Sequence, residues 1–204
     1  MPNQENKVKF GLKNVYYAPL TLNDDGSGTY GEPVRWPGAV SLSLDAQGET
    51  NKFRADNIDY YVSQSNSGYQ GDFESALIPE TFRKDILGEI EDSNGVLVED
   101  AGAATKPFAL LFQFEGDQKA TRHVLYNCTC TRPQVSSETT GTTIEPQTET
   151  ATLTAVSIYN PAIEKDVVKA KTNANTDSAT YDGWFSEVYQ APAPEETNEE
   201  QGGE

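Results

Sequence analysis

The residues with the most chemical potential per position lie in "RHVLYNCTCTRP", 122–133, which holds both cysteines, Cys128 and Cys130, and the only histidine, His123. Such a trio could ligate zinc, form a redox pair, or pair a nucleophile with a base. A tetrahedral zinc site needs four ligands, commonly Cys and His. The whole chain has three such residues. Read as a strand over 122–131, the period of two sets Val124, Tyr126, Cys128 and Cys130 on one face and His123, Leu125, Asn127 and Thr129 on the other. The histidine then points away from both thiols. A disulfide between same-face residues two apart sits near the ~7 Å limit of bridging geometry. The expectation is therefore two small buried thiols filling a β core.

The rest of the chain adds no reactive site. His123 shares its expected face with Leu125 and no carboxylate, so neither a Ser-His-Asp nor a Cys-His arrangement can be assembled. "DDGSGTYGE", from Asp24 to Glu32, lacks a Gly-Lys-Ser/Thr ending, precedes no expected helix, and would surround a phosphate with carboxylates. Its acidic residues also miss the spacing of a calcium loop. No catalytic, cofactor-binding or metal-ligating residue is nominated, and an enzyme is not expected.

Composition narrows the class further. The 204 residues carry a formal charge of −17, five units of it in the tail "APAPEETNEEQGGE". That tail has no periodic apolar positions, and the expected organisation is one β-rich domain over 1–190, with an N-terminal arm and long loops, followed by a disordered acidic tail over 191–204. No run of basic residues exceeds two neighbours, as at Arg83 and Lys84, so a phosphate-gripping stripe is missing and nucleic-acid binding is disfavoured. The start "MPNQENKVKF" shows no apolar signal core, and "PFALLFQF" is too short to cross a bilayer. Synthesis in a cytoplasm without membrane insertion is expected.

The elements that must position these residues are mostly strands. Alternation in "KVKFGLKN" groups Val8, Phe10 and Leu12; "AVSLSLD" groups Val40, Leu42 and Leu44; "NIDYYVS" groups Ile58, Tyr60 and Val62. "FALLFQFE" and "ETATLTAVSIY" supply two more strands. "EIEDSNGVLVED" suggests a hairpin with a type I′ turn at Asn94-Gly95. One stretch is expected to be helical: "IPETFRKDILGEI", with Pro79 at its start, Phe82, Ile86 and Leu87 on one face and Gly88 as its stop. The segments 23–38, 63–75 and 132–147 read as long connectors, whose length suggests contacts with neighbours. Loop and terminal aromatics fit the composition of interface centres.

The ordered blocks "KVKFGLKNVYYAPLT", "EPVRWPGAVSLSLDAQGE", "FRADNIDYYV" and "ALIPETFRKDILG" resemble the major tail proteins, or tail tube proteins, of long-tailed phages with non-contractile tails. The resemblance covers about residues 7 to 160. It implies a mainly β fold, a β-sandwich or barrel-like domain with one short flanking α-helix, long inter-strand loops and extended terminal arms. It also implies homo-hexameric rings stacked into a tube, with a tape-measure protein in the lumen and tail terminator and distal tail proteins at the ends. The chain would be made in the host bacterial cytoplasm and reside in the virion tail, DNA passing without specific binding. The helix would match 79–87, and the ring-forming sheet would draw on strands near 40–45, 58–63, 108–114 and 122–131.

On this view Asp45, Asp59 and Glu115, on the polar faces of expected strands, are candidates for lining the lumen. Val8, Phe10, Leu12, Tyr30, Trp36, Tyr69 and Trp184 are candidates for subunit contacts. The competing expectation is a monomeric β-sandwich binding module, of adhesin or carbohydrate-binding type, with loop aromatics as its platform.

Overall fold

The computed structural model describes residues 5–139 and 146–194. Along these, β1 (Lys9–Leu22) is followed by β2 (Gly28–Tyr30) and β3 (Val34–Trp36), both of which fold back to pair with it. β4 (Ala39–Gln47), β5 (Thr50–Ala55), β6 (Ile58–Gln64) and β7 (Gly68–Ser75) run out and return, β4 pairing with β7 and β5 with β6. Helix α1 (Glu80–Asp85) leads into the small hairpin β8 (Ile90–Glu91) and β9 (Leu97–Val98). β10 (Phe108–Gly116) and β11 (Thr121–Cys130) form a hairpin, and β12 (Glu149–Val156) follows. β13 (Ile158–Asn160) pairs with β14 (Lys165–Val167); β15 (Lys169–Lys171) and helix α2 (Ser178–Gly183) complete the order.

Nine strands make one antiparallel sheet in the order β2-β1-β10-β11-β12-β7-β4, with β3 against β1 and β15 against β11. The mainly β expectation holds, but the end strands β2 and β4 do not pair, so no barrel closes. The run "PFALLFQF" explains the centre of the sheet. A strand covered on both faces reads as continuously apolar, and β10 sends Phe108, Leu110 and Phe112 to one core and Ala109 and Leu111 to another. β1 does the same, with Val15 and Tyr17 on the first side and Ala18 and Leu20 on the second.

The first core is closed by α1. Phe82, Ile86 and Leu87 are fully or almost fully buried, and the Phe82 ring meets Tyr17, Trp36 and Phe108 at 5.0, 4.3 and 5.1 Å. Glu80 and Arg83 with Lys84 sit at the ends that suit the helix dipole. Gly88, at φ 75°, supplies the left-handed stop. The second core is closed by the C-terminal segment: Trp184 and Val188 are buried against Leu111, Val124, Tyr126 and Ile158. The stretch "YDGWFSEVYQAP" thus docks on its own domain.

Four expectations are corrected here. A second helix, α2, exists, opened by Asp177, whose carboxylate accepts from Thr180 N. The supposed connectors 23–38 and 63–75 contain β2, β3 and β7. The 58–63 strand lies outside the main sheet, in the β5–β6 ribbon. The hairpin at 90–98 forms, but of its turn residues only Gly95 has positive φ; Asp56 and Asn57, at φ 51° and 61°, make the two-residue turn of the β5–β6 ribbon instead. The acidic tail beyond residue 194 lies outside the described residues.

Candidate assembly surfaces

The Cys-His segment forms β11, with an irregularity that changes its faces. Phe108 pairs with Cys128 and Leu110 with Leu125, so β11 spends three residues where β10 spends two. This bulge falls where the partner on the other edge changes, from β15 at 123–125 to β12 at 127–130. Strict alternation fails across it. Cys128 and Cys130 join Leu125 in the first core, while Val124 and Tyr126 face the second. His123 therefore lies on the thiols' side, not opposite, but it is stacked on Phe112 at 5.0 Å near the far end of the strand.

Both thiols are free and buried. Burial pushes the Cys128 thiol far up, and pushes Cys130 up to about 12. Burial first, then the charges of Lys171, Lys169 and Lys9, lowers His123 to about 4. Among the described residues no group of three His, Cys, Asp or Glu side chains is placed to hold a metal.

Two surfaces stand out. The first is the β5–β6 ribbon, which stands off the sheet. Phe53, Ile58, Tyr60, Tyr61 and Val62 are 62%, 60%, 70%, 63% and 49% exposed. Phe53 sits opposite Tyr61, and the register shifts just beyond them, so that Arg54 meets Asp59 and Tyr60 is the extra residue. Asp59 lies 2.9 Å from Lys52 and 3.4 Å from Arg54. The ribbon is thus apolar and aromatic, with one internal charge cluster near its tip.

The second is the outer face of β4, β7 and β12. Behind Leu42, Leu44, Phe73 and Leu153, which face inward, the opposite face carries Ser41, Ser43, Asp45, Gln70, Asp72, Glu74, Thr150, Thr152 and Thr154. Side chains here are short, and the carboxylates take hydroxyl partners: Thr152 donates to Asp72 at 2.7 Å, Thr148 to Glu74 at 2.6 Å, and Ser41 to Glu74 at 3.0 Å. Hydroxyl donors hold Glu74 below the usual carboxylate range, so it carries its charge.

A family model described as phage tail tube protein matches residues 2–182. The chain belongs to the phage tail tube protein family. No curated protein matches it. Among solved structures it is similar to the anti-feeding prophage cap, a tube-terminating cap studied by cryo-EM. That likeness is at 12% identity over 81% of this chain and 93% of that one, with a TM-score of 0.39. The tail tube protein is a structural, non-enzymatic component of the virion tail. Among its described residues no helix is long and apolar enough to cross a membrane.

The structure does not bring the three acidic candidates of this tail tube protein together. Asp45 lies on the smooth outer face beside β7. Asp59 is engaged in the ribbon, and Glu115 lies 2.7 Å from Lys13 near the start of β1. The contact candidates divide as well. Val8 and Phe10 are exposed, both at 55%, whereas Leu12, Tyr30 and Tyr69 are partly buried and packed on the cores. Trp36 and Trp184 are corrected: at 2% and 3% exposure they are enclosed within the subunit, and their indole nitrogens donate to Ser75 Oγ and to the His123 carbonyl. The connector at 132–147 is anchored at Arg132, which donates to the carbonyls of Leu87, Asp100 and Ala103. Beyond it residues 134–139 are exposed, and 140–145 lie outside the described residues. Phe53 and Tyr61, exposed on the ribbon, are not among the contact candidates of the sequence, although the Asp56-Asn57 pair between two alternating runs is itself a hairpin signal.

Proposed function

We propose that this tail tube protein acts by polymerising. Copies join head to tail into closed hexameric rings, and the rings stack into the tube of a long, non-contractile tail through which the genome leaves. A heterologous contact that closes by rotation makes a ring, and pairing at the free edges of β2 and β4 would hide strands that otherwise invite aggregation. The observation that carries this reading is the ribbon. Five large apolar side chains on a two-stranded element outside both cores have no folding role of their own, and a concentration of exposed apolar side chains on one small element is what a protein contact uses. Val8 and Phe10 on the N-terminal arm extend the same argument.

The outer face of β4, β7 and β12 suits a channel wall. It presents short hydroxyl, amide and carboxylate groups, and the negative charge of Asp45, Asp72 and Glu74 repels a passing polyanion over about 8 to 10 Å at physiological salt. Asp45 is retained as a lumen residue, joined by Asp72 and Glu74; Asp59 and Glu115, tied to cations elsewhere, are not. A tape-measure protein would occupy this channel before ejection, with terminator and distal tail proteins at its ends.

Purified protein examined over a concentration series by sedimentation and negative-stain microscopy should give sixfold rings or tubes. A species that stays monomeric at all concentrations, even on addition of an isolated tail tip, would refute the reading and favour a monomeric binding module.

A further inference from the structure

The chain is strongly acidic, yet one region of its surface is not. β15 lies against β11 with Lys171 opposite His123 and Lys169 opposite Leu125. All three basic side chains near His123, those of Lys171, Lys169 and Lys9, are exposed, and their combined charge acts on the imidazole. They rim an aromatic floor. The Lys9 amine sits 5.1 Å above the Phe114 ring and the Lys169 amine 4.2 Å above Tyr69, while His123 stacks on Phe112 and meets Phe114 edge-on at 5.2 Å. Of the other lysines, Lys13, Lys52 and Lys84 pair with Glu115, Asp59 and Glu91, whereas Lys7, Lys106, Lys119 and Lys165 are single charges that do not cluster over aromatic rings around one histidine. Among the described residues none of Lys9, Lys169 and Lys171 is in an ion pair. The Glu115 carboxylate, two residues along β10 from Gln113, faces Lys13 on the other side of the strand from Phe114.

The same chain holds a segment of complementary charge. Residues 195–204, "EETNEEQGGE", include Glu195, Glu196, Glu199, Glu200 and Glu204 and no basic residue. Its starting point lies on the second-core side of the sheet, where Trp184 and Val188 pack, so the tail must turn round the edge of β15 to reach the patch on the other face. The Ala191 carbonyl accepts from Asn160 Nδ2 at 3.3 Å, and Asn160 pairs with Lys165 across β13 and β14. Lys169 is four residues further on, at most about 13 Å along the backbone. The path from Ala191 to Lys169 is thus no more than about 30 Å, and an extended chain from 192 to 204 reaches roughly 40 Å. Among the described residues β15 pairs with β11 alone, and its Lys169 and Lys171 are exposed.

We propose that the acidic segment 195–204 docks in cis on the patch formed by Lys9, Lys169 and Lys171 over Phe114, His123 and Tyr69. The contact is mainly electrostatic, three cations meeting up to five carboxylates, and so is sensitive to salt. It does not depend on ring formation.

Zero-length carbodiimide cross-linking of the full-length protein, read by mass spectrometry, tests this. Isopeptides from the five tail glutamates should form at least fivefold more often with Lys9, Lys169 and Lys171 than with Lys52 and Lys106, and should vanish in 1 M salt, where screening shortens to about 3 Å. The Lys13–Glu115 pair, at 2.7 Å, is the internal control. In a mixture of isotopically light and heavy chains the tail links should stay within one chain. Links spread evenly over all lysines, links joining light to heavy chains, or no tail links while the control forms would each overturn the proposal. Replacing the five tail glutamates with glutamine leaves the folded region untouched and should shift the amide resonances of Tyr69, Lys169 and Lys171. An unchanged spectrum at those positions would also overturn it.

Discussion

Replacing Phe53 and Tyr61 together by alanine should cripple assembly while leaving the subunit folded. The two rings face each other across β5 and β6 and are 62% and 63% exposed. An aromatic side chain presents 150–250 Å², so about 90–150 Å² of each remains open to a partner. At about 25 cal/mol per Å², full cover of both is worth roughly 4–8 kcal/mol. Allowing for the alanine methyls, imperfect cover and the cost of ordering the ribbon, about half of this should be lost. With 1.4 kcal/mol per tenfold, the concentration for half-assembly should rise at least about thirtyfold. Folding loses only a cross-strand pair, about 0.2–1 kcal/mol, or less than about 4 °C in Tm for a chain of this size. Sedimentation velocity over a concentration series, with a thermal melt of each variant, separates the two effects. Assembly at the wild-type concentration would refute the reasoning, and a collapse in Tm would show that the ribbon belongs to the folding unit.

Phe82→Ala should do the reverse. It removes a fully buried ring packed on Tyr17, Trp36 and Phe108, costing about 3–5 kcal/mol and lowering Tm by roughly 10 °C, as a thermal melt would show. His123 is held at about 4, mainly by burial and then by Lys171, Lys169 and Lys9. The unfolded histidine near 6.5 takes up a proton first, so stability from this group is full above pH 6.5 and falls as pH drops toward 4. The loss should reach about 2 kcal/mol by pH 5, and denaturant titrations of His123→Phe should lack that slope. Cys128 and Cys130, buried and shifted upward, should resist a thiol reagent at pH 8 for hours in the native protein and react at once in denaturant. Asp45→Lys combined with Asp72→Lys should leave tubes visible in the microscope but impair DNA delivery; undiminished infectivity would argue against an anionic lumen.

The parts of the fold that sequence reveals are those whose faces differ. "PFALLFQF" is legible as a strand, though its central place follows only from the burial of both its faces; "VYYAPL", which extends β1, is not marked as a strand by alternation for the same reason; and α1 is visible through Pro79, the Phe82-Ile86-Leu87 face and Gly88. β7 was hidden. Its Gly68 and Gly71 resemble loop punctuation, yet they sit between β4 and β12, where an added Cβ would lie about 2 Å from the Ala155 and Ser43 carbonyls. The bulge in β11 was equally hidden, since nothing in "HVLYNCTC" marks the extra residue; it follows from β15 and β12 sharing one edge of the strand. Trp36 and Trp184 were misplaced because tryptophan near turns fits both an interface and a core lid. Charge position was least legible of all, because Asp45, Asp59 and Glu115 look alike until register shows which ones face a cation.

What separates this subunit from an ordinary sandwich is the division of labour between cores and ribbon. α1 and the C-terminal segment close both faces of the central strands, so the body needs no neighbour to complete it. The ribbon is built on other terms. An isolated two-stranded hairpin is marginal in water, and β5–β6 contributes no side chain to either core. Folding alone would be served as well by threonine and lysine at 53, 58, 60, 61 and 62. Apolar residues there increase solubility risk with no return inside the monomer, and become favourable only when a second surface covers them. On the proposed reading such a subunit would fold at low concentration and assemble through a small number of aromatic contacts, so that stability and polymerisation would be open to separate alteration.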